Sequence, residues 1–578
     1  MNKDILSRYT EPSAQKHMKM LDKFSPEYLS LSPADKLTLM HLTRAAEWIN
    51  KAYFRMDNAK STEFIQLLQS RITEGDSDSQ KMLEFYTSMR TPVFTDLNGD
   101  EVVLYSLAKD TGWLNFYPAD LDFAEFHNIL NTMLDLGKIQ EVSHILSNRT
   151  MVVRDGEFLH AIDYVEYFPE FANCAKELRL AMSCSADTSF NEFLDYQARA
   201  LVEINPEYDC MADTLWANLK GNTLDFTLTR ESYNDAMTES LFDNTALMQK
   251  LHDAGIKPIP KDSLGARVGI RNTDGTQFLL SVQNIADVIG ANFPSTSTSI
   301  RVAEDNDAVL DLDIVTLSGC ECVAGRCTIA QVLPNDDKLA VIRGGNRKKV
   351  YNRQTRFSPN PPYIQYILAP EFVPLFDISA NHYSVICHET THTFGPQKSL
   401  LGKYTSILEE EKADLGALAF LYNLQEAGIF DTLTIQKMIT TELVSNFQKT
   451  KPKLSQAHAV VRVMILNKML VDNALWLDEN NLIHIDFDKV VSSSQDLLSQ
   501  VVDIQQSGRV DLAEAHINQY FVWGEQFQTI AQIIRTHSPY LVRILDEPLK
   551  DYLLTTDAET DINNEIITPT SMQTISGK

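Results

Sequence analysis

The stretch NHYSVICHETTHTFGP, residues 381–396, carries the strongest signal in this chain for both structure and chemistry. Its first seven residues favour a helix that runs into HETTH, and Gly395-Pro396 predicts where that helix stops. Residues four apart lie on one helix face, so His388 and His392 can share one metal ion. Glu389 follows the first histidine and can take a proton from water beside that metal.

A second stretch, LEEEKADLGALAFLYNL from Leu408, offers a third metal ligand. Ser406 and Glu409 have the spacing of a capping box, which predicts a helix start there. We expect Glu410 to complete a His2Glu zinc site with one Zn²⁺ per chain. Glu409 and Asp414 are expected in the shell outside the ligands, where a carboxylate hydrogen-bonds a liganding imidazole.

Both motifs also have ordinary explanations that the residues alone leave open. A motif as short as HExxH arises by chance, and the two histidines would then be exposed or core side chains. A run of acidic residues such as EEEK is favoured at the solvated start of any helix.

Taken together, HETTHTFGP and EEEKAD resemble the dipeptidyl peptidase III family of zinc metallopeptidases. The match is to the shorter bacterial form, which has HExxH and EExxAD motifs. The animal and yeast enzymes carry one more residue between the two histidines. The resemblance implies an exopeptidase that cleaves a peptide at a fixed number of residues from its amino terminus.

Two further segments resemble that family and lie in the same order along the chain. QAHAVVR, residues 456–462, implies His458 as a transition-state stabiliser and Arg462 as a substrate anchor. ESYND, residues 231–235, implies Tyr233 as a hydroxyl donor to the oxyanion and Glu231 as the site for the free amino terminus.

Each of these residues has a structural alternative. A lone tyrosine in a polar segment is usually a surface or core side chain. His458 lies in AHAVVRVMILNKML, an apolar helical pattern in which a histidine is often a satisfied core residue. The segment LPNDDK from Leu333 also resembles the family, but Gln354 stands where the family usually has asparagine.

Composition limits the class of protein. A chain of 578 residues with 44% hydrophobic residues is long enough for two lobes, and its net charge of −27 argues against nucleic-acid and anionic-membrane binding. No segment approaches the roughly 20 apolar residues of a membrane span, and the amino end has no signal-peptide core. Seven scattered cysteines then indicate reduced thiols and a cytoplasmic protein. The spacing of Cys320, Cys322 and Cys327 fits no common zinc module, so we expect buried or turn thiols there.

Periodicity predicts an α+β, predominantly helical fold. Residues 1 to about 220 have helical spacing, strands follow from about residue 265, and helices return from about residue 365. We therefore predict a mixed lobe over 1–364, a helical zinc lobe over 365–553 and a flexible tail over 554–578. The resemblance adds a wide cleft between the lobes and a small barrel-like sheet in the first.

The predicted function is that of a zinc-dependent exopeptidase that releases dipeptides from short peptides. Two alternatives remain at this stage. One is an aminopeptidase or oligopeptidase of other specificity with the same zinc core. The other is a zinc-containing peptide-binding protein with little turnover. The sequence does not indicate the oligomeric state.

Overall fold

A computed structural model describes residues 3–205, 207–232, 234–276, 284–294, 309–333, 348–353, 360–396 and 401–567. Helices dominate it, as predicted. Those before residue 300 are Lys3–Tyr9, Pro26–Leu29, Pro33–Asp57, Ser61–Thr73, Ser77–Met89, Phe123–Asp135, Ile139–Ile145, Tyr164–Tyr167, Glu170–Cys184, Thr188–Val202, Glu207–Asn218, Ala236–Glu239, Thr245–Asp253 and Asn284–Asn292. Those after it are Ile364–Ile367, Asn381–Thr391, Thr405–Ala419, Leu421–Glu426, Thr432–Ser445, Ala457–Val471, Phe487–Ser507, Val510–Tyr520, Glu525–His537, Pro548–Leu553 and Thr556–Ile567.

The strands are short apart from those of one sheet. That sheet contains Leu224–Glu231, Ser263–Arg271, Val309–Gly319, Lys348–Arg353 and Ala330–Leu333, in this spatial order. Two-stranded pairs are formed by Gln15–Lys19 with Val542–Asp546, Val93–Thr95 with Glu101–Val103, Thr150–Asp155 with Phe158–Asp163, Cys322–Val323 with Arg326–Cys327, and Leu475–Leu477 with Ile483–Ile485.

The first lobe is built around the long helix Pro33–Asp57. Ser32 caps its start by accepting the Asp35 N–H, and Pro33 occupies the first helical position, where no hydrogen bond is lost. One face of this helix packs on Glu170–Cys184 and another on the central strands of the sheet. Its interior residues are fully buried in the largest hydrophobic core of the protein.

The five-stranded sheet of this lobe is mixed and, over the described residues, open. Lys348–Arg353 pairs parallel to Val309–Gly319, and the other pairings are antiparallel. The barrel-like sheet that the resemblance implied is therefore an open sheet in the described part of the chain. One end of it brings Glu231, the last residue of an edge strand, beside Ser263 and close to the turn after Gly319.

The second lobe is helical and has its own core. Ala457–Val471 runs through its centre, and Thr405–Ala419 and Phe487–Ser507 pack around it. The helix Asn381–Thr391, called here the HExxH helix, crosses Thr405–Ala419, called here the acidic helix. The acidic helix begins one residue before Ser406, and its side chains form no cap at that end. The predicted capping box is thus wrong: Glu409 contacts His392 instead.

The predicted boundary at residue 364 does not separate the two cores. Ile285 and Ile289, from the helix Asn284–Asn292, pack in the core of the second lobe. In the other direction, Val542–Asp546 pairs in parallel with Gln15–Lys19 and returns the chain to the first lobe.

The tail predicted from residue 554 is ordered over part of its length. The helix Thr556–Ile567 packs on Pro33–Asp57 and buries Ala558 and Ile562, so the prediction of a flexible segment is wrong there. Among the described helices, none combines the length and the apolar character needed to cross a membrane.

Candidate metal centre and cleft

The HExxH helix and the acidic helix approach each other closely where the candidate ligands lie. Gly416 faces Thr391, and a Cβ on Gly416 would stand 2.2 Å from the Thr391 Oγ1. Thr391 is buried and donates its hydroxyl to the Cys387 carbonyl within its own helix. Gly395, at φ 92°, ends the HExxH segment in a conformation that favours glycine. The helix and its stop at Gly395 were both predicted from sequence.

Three side chains from these helices converge on one point. The Nε2 atoms of His388 and His392 are 3.1 Å apart, and the Glu410 Oε2 lies 3.5 and 3.6 Å from them. All three donor atoms lie within 4.8 Å of one another. The Glu410 Oε2 is buried and makes no hydrogen bond. Two imidazole nitrogens and one carboxylate oxygen that converge at this spacing fit a tetrahedral zinc ion with one open position.

The outer ring nitrogens of both histidines are held by carboxylates. Asp414 Oδ1 lies 2.7 Å from the Nδ1 of His388, and Glu409 Oε1 lies 2.9 Å from the Nδ1 of His392. Lys412 and Gln505 donate in turn to Glu409. This arrangement orients each Nε2 toward the shared point, as carboxylate–histidine pairs do in metal proteins.

The charges at this site are strongly coupled. Burial lowers the pKa of His392, but Glu410 and Glu409 outweigh burial and raise this pKa to about 9. Burial opposes ionisation of Glu409, yet His392 and Lys412 bring the Glu409 pKa down to about 2. The carboxylates therefore stay ionised and attract positive charge, which a divalent cation supplies.

Glu389 and His458 lie in the wall of the same cleft as the three candidate ligands. The Nδ1 of His458 is 3.2 Å from the Glu410 Oε2, and its side chain is 65% exposed. A core histidine would be buried, so the structural alternative for His458 is wrong.

The cleft has a volume of about 3720 Å³ and is lined by both lobes. Glu231 and Arg462 line it with the candidate ligands, Glu231 from the first lobe and Arg462 from the second. Burial, together with the nearby carboxylates of Glu321 and Asp262, raises the pKa of Glu231 to about 8. Tyr233 and Gln354 lie outside the described residues.

Comparison with solved structures identifies the architecture. The protein superposes on dipeptidyl peptidase III from Caldithrix abyssi with a TM-score of 0.75 and 21% identity, covering 96% of this chain and 100% of that one. With dipeptidyl-peptidase III from Corallococcus sp. strain EGB the TM-score is 0.73 at 19% identity, covering 95% of this chain and 98% of the other. The chain has the dipeptidyl peptidase III fold.

Comparison by amino-acid sequence does not assign the chain to a family. No family model matches the chain. A curated relative named Nudix hydrolase 3, from Arabidopsis thaliana, is 22% identical over 576 residues, which covers 88% of this chain and 71% of that protein. That name describes the plant protein alone.

Within this dipeptidyl peptidase III fold, the structure adds residues that sequence reasoning missed. Glu442 lines the cleft, and burial and Asp414 raise its pKa to about 7 against the opposing effect of Arg462. Lys16, Arg326 and Arg543 line the cleft as well. They are far apart in sequence and belong to no motif, so no window of the sequence indicated them.

The cysteine prediction needs one correction. Cys322 and Cys327 are paired as a disulfide that closes a small hairpin in the cleft wall, while Cys320 and four others are free. The reduced-thiol prediction is wrong for this pair. The cytoplasmic location rested partly on reduced cysteines and remains a prediction.

Proposed function

We propose that this chain is a zinc-dependent peptidase that releases dipeptides from the amino end of short peptides. One observation carries the proposal: the donor atoms of His388, His392 and Glu410 converge beside Glu389 in the wall of a wide cleft. The fold shared with dipeptidyl peptidase III supports the same reading.

The three donor residues would hold the zinc ion. Zinc bound there supplies Lewis-acid chemistry for water and for the peptide carbonyl. Asp414 and Glu409 keep the two imidazoles in the tautomer that presents Nε2 inward.

Glu389 is proposed as the general base that accepts a proton from the attacking water. It follows His388 directly, so the helix that places the ligand also places the base. His458 is proposed to stabilise the negative charge that develops on the carbonyl oxygen, since its exposed ring faces the cleft beside Glu410. Tyr233 is proposed for the same role, on the basis of the sequence motif ESYND that contains it.

Glu231 is proposed to bind the free amino terminus of the peptide. It lies at the end of an edge strand in the cleft wall, near the carboxylates of Glu321 and Asp262. A carboxylate there attracts an ammonium group, and its fixed position would set how many residues precede the cleaved bond. Arg462 is proposed as a second anchor for the peptide.

The deciding experiment measures zinc content and hydrolysis of dipeptidyl arylamides for wild type and Glu389→Ala. We expect about one zinc per chain in both proteins, by the His2Glu ligand set. Turnover should fall by about 10²- to 10⁴-fold in Glu389→Ala, because a general base contributes that much.

Other results would redirect the proposal. Zinc in both proteins without turnover in either, over a broad peptide library, would favour a peptide-binding protein. Hydrolysis of amino-blocked peptides as fast as free ones would favour a peptidase of other specificity. No zinc in either protein under metal-replete conditions would remove the basis of the proposal.

A further inference from the structure

One face of the edge strand Leu224–Glu231 is polar and almost wholly buried. Side chains alternate between the two faces of a strand, and the apolar side chains of this strand pack in the core of the first lobe. The other face carries Asp225, Thr227, Thr229 and Glu231, called here the polar row. The first three are at most 2% exposed, and of the four only Glu231 lines the cleft. The polar row therefore leads from the cleft into the interior of the lobe.

A buried cation stands at the inner end of the polar row. Arg267 is fully buried, its Nη2 donates to the Thr227 Oγ1 at 3.1 Å, and its Nε lies 3.7 Å from the Asp225 Oδ2. Asp225 also accepts a hydrogen bond from the Trp216 indole, with 2.7 Å between Nε1 and Oδ1. The charge of Arg267 is thus balanced by Asp225, at the end of the row away from the cleft.

Glu321 brings a second carboxylate to the outer end of the row. Glu231 pairs with Ser263 across two strands, and the Cys320 Sγ donates to the Ser263 carbonyl at 3.5 Å. Glu321 is the next residue and is fully buried, and neither of its carboxylate oxygens has a hydrogen-bond partner within the described ranges. Burial raises the pKa of Glu321, and the charge of Arg267 opposes this only in part.

The charged groups that face Glu231 are acidic. Burial, Glu321 and Asp262 together raise its pKa to about 8. The Cys320 thiol lies beside both glutamates, and burial and their charges raise its pKa, so it stays neutral. Arg230 precedes Glu231 but belongs to the opposite face of the strand, where two aspartates pair with it. Glu231 and Glu321 therefore repel each other across a buried space.

We propose that Glu231 and Glu321, called here the carboxylate pair, share one proton in the free protein, and that the ammonium group of a peptide displaces it. The proposal rests on the proposed function, in which Glu231 binds the amino terminus, and adds control of that site by a second carboxylate. Two like charges in one buried space repel strongly, so a single proton bound to the pair stabilises it. An ammonium group supplies the same positive charge, and the proton leaves to solvent.

Glu321 acts in this proposal as a positioning residue. It is fully buried, so it influences the ammonium group through Glu231 rather than by contact. Its charge sets how firmly the empty site holds a proton, and a peptide must compete with that proton. Binding of a free amino terminus should then weaken steadily as the pH falls below the range in which the carboxylate pair loses its proton.

Calorimetry counts the proton directly and needs no turnover. Glu389→Ala is titrated with a short peptide in buffers of different ionisation enthalpy, and then with the same peptide acetylated at its amino terminus. At about pH 6.5, where a free α-amino group is already charged, we expect the free peptide to release close to one proton and the acetylated peptide none. Between about pH 7 and pH 6 the dissociation constant of the free peptide should rise about tenfold, and that of the acetylated peptide should stay nearly constant.

Variants assign the effect to the second carboxylate. Added to Glu389→Ala, Glu321→Gln keeps the side-chain shape and removes the charge, so the rise between pH 7 and pH 6 should shrink to about fivefold or less. Glu321→Met places an apolar side chain of similar length in the buried site and should have the same effect, which guards against a folding defect in the first variant. Glu239→Gln removes an exposed carboxylate of the cleft wall outside the polar row and should retain the tenfold rise.

The outcomes separate the two proposals. Binding of the free peptide without proton release, equal release by the acetylated peptide, or no measurable peptide binding would overturn the carboxylate pair. A tenfold rise that persists in both Glu321 variants would overturn it as well. A wild-type protein that releases the proton but hydrolyses neither peptides nor arylamides would contradict the proposed function and leave the carboxylate pair in place.

Discussion

The side chains that would hold the metal were visible in the sequence because they are close in sequence. His388 and His392 are one helical turn apart, and Glu410 and Asp414 are one turn apart on the next long helix. Such spacing places two side chains on one face of a helix, whatever the fold of the rest of the chain. The cations at positions 16, 326, 462 and 543 meet only after two lobes and a hairpin have formed, so no sequence pattern could place them together.

At the same scale, the environment of Glu231 predicts a pH dependence. With its pKa raised to about 8 by burial and by Glu321, Glu231 is largely protonated below that pH and loses its attraction for an ammonium group. The α-amino group of a peptide, with a pKa of about 7.7–8.0, loses its charge above the same pH. We therefore expect kcat/KM for dipeptidyl arylamides to be greatest near pH 8.

The variant Glu231→Gln separates this group from the histidines of the site. It cannot change charge, so kcat/KM should be lower than in wild type and should vary less between about pH 6 and pH 8. Rate profiles of the two proteins in matched buffers give the comparison. If kcat/KM falls toward acidic pH with the same midpoint and steepness in Glu231→Gln as in wild type, another group causes that fall.

Among the secondary-structure elements, the HExxH helix, its stop at Gly395 and, to within one residue, the start of the acidic helix followed from local sequence, whereas the capping box predicted at that start did not form. Ser406 and Glu409 matched a capping box, but the Glu409 carboxylate binds His392 and Lys412 instead. A charge-assisted contact to a half-buried imidazole outweighs a cap that water can replace. The tail helix Thr556–Ile567 was missed because its few apolar positions become meaningful only against the partner helix Pro33–Asp57.

The crossing of the two site helices yields a second prediction. In Gly416→Ala the new methyl group would overlap the Thr391 side chain, with 2.2 Å to Oγ1 and 2.3 Å to Cγ2. Overpacking of this kind costs about 1–3 kcal/mol of unfolding free energy. Because Thr391 precedes His392 and Gly416 lies two residues after Asp414, we also expect weaker metal binding.

Urea unfolding and competition with a metal chelator measure these two effects. Gly524→Ala is the matched control, because a Cβ there meets no atom within 4 Å and the backbone is not left-handed. It should retain wild-type metal affinity and lose no more than about 1 kcal/mol, the usual effect of alanine at a helix N-cap. If Gly416→Ala matched the wild type in both measurements, the close crossing would have no role in forming the site.

For the whole molecule, the fold class and the two-lobe organisation were predicted, but the path of the chain between the lobes was not. Periodicity reports which segments are helices and cannot report that Asn284–Asn292 joins the second core or that Val542–Asp546 returns to the first. Long-range pairing of this kind depends on contacts between residues hundreds of positions apart. The chain therefore crosses between the lobes several times, and the two lobes meet at one side of the cleft.

Lys449 marks this meeting place. Its Nζ donates to the Asn98 Oδ1 of the first lobe at 3.1 Å and to the carbonyls of Ser538 and Tyr540 at 3.2 and 3.0 Å. The cleft that opens beyond it holds about 3720 Å³, against roughly 300–1,000 Å³ for a pocket that encloses a small ligand. We therefore expect the lobes to approach when a short peptide is held by Glu231 on one lobe and by the metal centre on the other.

The last prediction follows from that geometry. Small-angle scattering of Glu389→Ala should show a radius of gyration near 25 Å, which falls by roughly 1 Å when a free peptide saturates the protein. The same peptide with an acetylated amino terminus cannot pair with Glu231, so it should bind more weakly and produce a smaller change. Because closure requires contacts on both lobes, stoichiometric binding of the free peptide with an unchanged radius would mean that one lobe alone recognises it. The peptide anchor would then have to be sought among Arg462, His458 and their neighbours on the helical lobe.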